Sequence, residues 1–113
     1  MDSISKATQT ITIGSLTIRQ DSEGRYCLND LHKAAGGQTK HQPSFWDRTN
    51  KARDLMEEYS NCAETHGFCP VISVGGRNGG TFVVKPLVYA YAMWISAAFS
   101  LEVINAYDQM VTA

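Results

Sequence analysis

The sequence predicts an α+β domain of winged helix-turn-helix type: an N-terminal β-hairpin, two to three short helices, a β-hairpin wing and two C-terminal helices. Three observations carry that expectation. Apolar and polar residues alternate on both sides of Gly14-Ser15. Two short helical patterns follow, separated by Gly36-Gly37 and a polar loop. Two β-branched runs then enclose a glycine-rich tip at 75–80, and two more helical patterns close the chain.

Each element has a local cause. Residues 1–8 are polar and are expected to be a flexible N-terminus, which leaves one domain over 9–112. Thr10-Ile11-Thr12-Ile13 and Leu16-Thr17-Ile18-Arg19 flank a two-residue Gly-X loop, the signature of a type II′ hairpin. Asp21-Ser22-Glu23-Gly24 predicts another turn, and Arg25-Tyr26-Cys27 a short third strand. Asn29 suits the N-cap of a helix, with Asp30 in its first turn. Leu28, Leu31, Ala34 and Ala35 mark one face of that helix, and Gly36-Gly37 ends it.

Pro43 fits the first position of a second helix. That helix is expected to pass through Phe45, Trp46 and Arg48, with a break at Thr49-Asn50. Ala52, Leu55, Met56 and Tyr59 recur at i, i+3, i+4 and i+7, which continues a helix to about Ser60. After a loop at 61–70, Val71-Ile72-Ser73-Val74 and Thr81-Phe82-Val83-Val84 predict a second hairpin with a six-residue tip. Pro86 opens a helix with Leu87, Tyr91, Trp94 and Ile95 on one face. Ser96 caps the last helix, with Phe99, Val103, Ala106 and Met110 facing inward. Both tryptophans, Trp46 and Trp94, are expected in the core.

Composition narrows the classes. At 113 residues and 43% hydrophobic, the chain makes one domain with a real core. No run of about 18 apolar residues would span a membrane. The start, Met1-Asp2-Ser3-Ile4, lacks the basic and apolar regions of a secretory signal. Three cysteines without an export signal argue for free thiols in a reducing compartment, so a cytoplasmic location is expected. The formal net charge of −1 does not announce a nucleic-acid binder. It hides an asymmetry, however. Lys33, Lys40, Arg48, Lys51 and Arg53 lie close together with Asp47 as the only acid among them, and His32 and His41 add two donors. The acids gather at 54–64, and no base follows Pro86.

Catalytic and metal motifs are thin, so no enzyme activity, cofactor, metal or small-molecule substrate is expected. There is no Gly-x-Ser-x-Gly and no His-Glu-x-x-His, and the glycines at 75–80 lack the Lys-Ser/Thr of a phosphate loop. Cys62, His66 and Cys69 offer three zinc ligands in one loop, but structural sites usually come as two tight pairs.

One resemblance runs through the chain. Tyr26-Cys27-Leu28-Asn29-Asp30-Leu31-His32-Lys33-Ala34-Ala35 resembles the first helix motif of the KilA-N domain of phages, prophages and large DNA viruses. His41-Gln42-Pro43-Ser44-Phe45-Trp46 is similar to that family's next segment. Gly79-Gly80-Thr81-Phe82-Val83 through Leu87, then Ala92-Met93-Trp94-Ile95-Ser96, resemble its second signature, and Phe99-Ser100-Leu101-Glu102-Val103 its last helix. The order and spacing of these pieces make the likeness specific over roughly 10–107. It implies a sequence-specific DNA-binding module related in fold to fungal APSES domains. It also implies a location in the bacterial host cytoplasm, at the nucleoid, as the N-terminal module of a longer regulatory protein. Ser96-Ala97-Ala98 departs from the family's Ser-Pro-Glu, which weakens that helix start by about 1 kcal/mol.

The expected DNA contacts follow from residue chemistry. Arg48 is the first choice for a base edge, because arginine pairs bidentately with guanine. Lys33, Lys40 and Lys51 suit phosphates, which orient the protein without specifying sequence, and Arg53 lies on or just past the expected recognition helix. His41, Gln42 and Ser44 sit where a second helix begins, and Arg77 and Asn78 form the wing tip. For each charge the alternative is a solvated surface residue. For the domain, the alternative is a protein-interaction module, such as an antirepressor that binds another regulator. A homodimer on paired half-sites is a further partner reading.

Overall fold

The computed structural model describes residues 11–61, 69–76 and 79–112. Its first element is the expected hairpin, β1 (Ile11–Ile13) paired antiparallel with β2 (Leu16–Ile18). Gly14 has φ +63°, and among the described residues no non-glycine has positive φ, so the turn is type II′ rather than type I′. Alternation buries Ile11, Ile13 and Ile18 and leaves Thr12 and Thr17 in water. Asp21 organises the next turn: its carboxylate accepts from the amides of Glu23 and Arg25 and pairs with the Arg25 guanidinium at 2.9 Å.

The third strand, β3 (Tyr26–Cys27), does not extend the first hairpin. It joins β4 (Val71–Val74) and β5 (Gly80–Val83) in a sheet of order β3-β5-β4, all antiparallel. Val74 pairs with Gly80, so Gly80 belongs to the strand and the tip is shorter than the expected 75–80. Arg77 and Asn78 lie outside the described residues, as do residues 1–8, Cys62 and His66. Arg25, only 6% exposed, also bonds the Cys69 carbonyl at 2.8 Å.

Helix α1 (Leu28–Ala34) starts directly from β3, which corrects the expected cap. Asn29 lies inside the first turn, and its Oδ1 accepts from the Thr81 amide of β5 at 2.8 Å. A Cβ on Gly80 would come within 2.8 Å of that oxygen, so the strand can approach α1 only as glycine. The Asp30 carboxylate faces the other way. It accepts from the Arg19 amide at 3.0 Å, from Nε at 2.9 Å and from Nη2 at 3.2 Å.

A 3-10 turn (Thr39–His41) leads to α2 (Pro43–Trp46), then α3 (Asn50–Asn61). The expected second helix therefore stops at Trp46, and Arg48 lies in the break before α3, not on a helix. The cause is Thr49: its hydroxyl donates to the Trp46 carbonyl at 2.8 Å and accepts from the Ala52 amide at 3.2 Å, so it ends α2 and caps α3.

The last helices are α4 (Lys85–Ile95) and α5 (Ala97–Thr112). Ser96 separates them and caps α5 as expected, its Oγ accepting from the Phe99 amide at 3.0 Å. On α4 the buried residues are Leu87, Val88, Tyr91 and Ala92, whereas Trp94 is 37% exposed and so is not the core residue expected. Leu87, Val88 and Tyr91 already fill the interior face, and Trp94, three residues past Tyr91, falls at its edge. Trp46 is fully enclosed and sets its ring edge on Tyr91, with centroids 5.6 Å apart. Beneath the sheet, Tyr107 meets Tyr26 and Tyr89 edge to face, each at 5.3 Å.

Asp30 generates a stability expectation. Burial works against its charged form, but the hydrogen bonds from Arg19 outweigh that and hold its pKa below the usual carboxylate value. Its contribution is therefore complete above the unfolded-state pKa of about 3.9 and is lost as pH falls through the folded value. Asp30→Ala should lower stability at neutral pH by about 2–3 kcal/mol and flatten the acid limb, read from urea melts between neutral and acid pH.

Candidate nucleic-acid interface

The basic region is built on short elements that other parts of the fold hold in place. Asn29 and Lys33 are four residues apart on α1 and so share a side of it. Lys33 is exposed. The chain leaves α1 through Gly36 and Gly37, whose φ values of +114° and +69° reverse its direction. His32 then fixes the returning loop, with Nε2 2.6 Å from the Gln38 carbonyl. A carbonyl only accepts, so Nε2 carries the proton. Lys40 projects from the following turn and is exposed.

His41 belongs to the frame of this turn as well as its surface. Its carbonyl accepts from the Tyr91 hydroxyl, and its ring stands edge-on to Trp94 with centroids 5.8 Å apart. Burial raises the Tyr91 pKa well above the usual phenol value, so the hydroxyl keeps the proton it donates. The imidazole Nδ1 is enclosed and has no hydrogen-bond partner among the described residues.

Gln42 and Ser44 line a shallow polar hollow of about 270 Å³ with Asn29, His32, Pro43 and Thr81. Two expected contact residues thus meet three polar ones, Asn29, His32 and Thr81, that sequence reasoning did not place in the site. His32 had a signal, since it sits among the cations. The meeting of Asn29 with Thr81 had none, because it joins residues 52 apart in sequence. Asn29 Oδ1 is held by the Thr81 amide, so its Nδ2 is the group left to donate.

Arg48 is exposed in the break, and Lys51 and Arg53 are exposed in the first turn of α3. The structure does not gather all the expected residues in one place. Lys51 lines a different hollow, between α3 and α4, with Asp54 and Glu58. None of Lys33, Lys40, Arg48, Lys51 and Arg53 forms an ion pair among the described residues, whereas Arg19 and Arg25 are committed to Asp30 and Asp21.

The frame is that of a small mixed α+β domain, and its short connected helices present cations that are unpaired among the described residues. The KilA-N domain model matches residues 9–113. Protein kilA of Escherichia phage P1 is 41% identical over 100 residues, which cover 88% of this chain and 36% of that protein. The chain belongs to the KilA-N domain family, and it spans about a third of the length of this relative. No solved structure matches it. Among the described residues no helix is long and apolar enough to cross a membrane.

Thr49 sets where α3 and its cations begin. Thr49→Ala should cost about 1 kcal/mol, whereas Thr49→Ser, which keeps the oxygen, should recover most of it; thermal melts of the two variants check this.

Proposed function

We propose that this domain binds double-stranded DNA as a module of a phage or prophage regulatory protein. The observation that supports the reading most directly is the division of charge. In the first half of the chain the carboxylates of Asp21 and Asp30 are occupied by Arg25 and Arg19. Lys33, Lys40, Arg48, Lys51 and Arg53 keep their charge for a partner, although the net charge is −1. The relative from Escherichia phage P1 supports the phage setting.

In this reading the start of α3, with Arg48 just before it, enters the major groove. Arg48 and Arg53 are the side chains offered to base edges. Lys33 and Lys40 take phosphates on the α1 side. The hydroxyl and amide groups of Ser44, Gln42 and Asn29 add uncharged donors between them. The β4–β5 hairpin acts as the wing, with Arg77 and Asn78 at its tip.

Neutralising about five phosphates should give a log–log salt slope of about −4.5. Lys33→Ala/Lys40→Ala should reduce that slope by about 1.8 and weaken binding to all sequences alike, while Arg48→Ala/Arg77→Ala should also blur sequence preference. Selection from random duplexes, followed by titration at several salt concentrations, tests both. Undetectable or salt-insensitive binding would overturn the reading.

A further inference from the structure

The hollow between α3 and α4 is large, about 900 Å³, and mostly apolar. Leu55 lines it from α3, and Ala90, Met93 and Trp94 line it from α4. Met93 is 66% exposed and Trp94 37%. Helix α3 is amphipathic, yet Ala52 is its only buried residue, and Leu55, Met56 and Tyr59 are half-covered. The domain therefore leaves part of the apolar side of α3, and the end of α4, in contact with water. Apolar surface of this extent marks a place where association is favourable.

Charge indicates what covers it. Asp54 and Glu58, one turn apart on α3, line the groove, and Lys51 stands towards the N-terminal end of the helix. Glu57 is exposed beside them, and α4 and α5 carry no Lys or Arg after Lys85. A phosphate backbone would meet repulsion here. A second copy of the domain would set its own acids against these, and no described helix offers an apolar side edged by bases over two turns.

We infer that the α3–α4 groove docks a helix of a protein partner that is apolar on one side and carries lysine or arginine along its edge. Apolar side chains spaced by three and four residues lie on Leu55, Met93 and Trp94, in the helix-in-groove mode. Basic residues one turn apart on the incoming helix match the one-turn spacing of Asp54 and Glu58. This site is independent of the cations assigned to DNA, apart from Lys51 at its end.

The test uses the whole domain and model amphipathic helices of leucine and lysine, of leucine and glutamate, and a scrambled leucine/lysine peptide. The leucine/lysine helix should bind, with a blue shift of Trp94 emission that Trp94→Phe removes. Asp54→Asn/Glu58→Gln should weaken it about three- to tenfold, and Met93→Asp by more than about tenfold, with unchanged circular dichroism. Equal affinity for the leucine/glutamate or scrambled peptide would overturn the inference. So would full binding by the Met93→Asp protein. Self-association in sedimentation that Met93→Asp abolishes would assign the groove to a second copy instead and overturn it as well.

Discussion

The fold depends on what happens at the first residues of α1. Within one turn, Asn29 reaches β5 and Asp30 reaches the end of β2. A helix of seven residues has little stability of its own, because nucleation costs more than so few internal hydrogen bonds return. It persists here because its side chains take backbone amides from both sheets. Charge-assisted bonds to Arg19 and the glycine contact at Gly80 make that start a junction rather than a free end. The basic region inherits its position from this junction.

The elements that present cations are the least self-sufficient in the molecule. The 3-10 turn, α2 and the break before α3 are closed only by short-range backbone bonds, such as those from His41 to the Gln38 carbonyl and from Thr49 to the Trp46 carbonyl. Their stability comes from Pro43 and Trp46 packed below, from His32 and from the Tyr91 hydroxyl. This arrangement suits a contact surface. Short elements put several side chains and amides at the surface within a few residues, while a rigid scaffold of α4, α5 and the sheet fixes where they stand.

Much of this was legible in the sequence, and the reasons differ by element. The first hairpin was readable because alternation and a Gly-X loop are both local. The Ser96 cap and the amphipathic run of α3 were equally local. The Asn29 cap failed because a residue favoured at caps was recruited by a strand far along the chain. The break at Thr49 was visible, but its extent was not: a hydroxyl that both ends one helix and starts the next moved Arg48 off the helix. Trp94 failed because hydrophobicity says that a residue prefers burial, not that the interior has room for it. The gathering of Gln42 and Ser44 with Thr81 needed the tertiary structure.

The contact between His41 and Trp94 links two surfaces of opposite character. His41 carries the backbone that ends the basic turn, and Trp94 forms a wall of the acidic groove. Their rings touch, and the Tyr91 hydroxyl grips the His41 carbonyl from below. The indole that walls the groove and the backbone that carries Lys40 thus lean on one packed contact, so the groove and the basic turn are neighbouring faces of a single frame rather than separate regions of the domain.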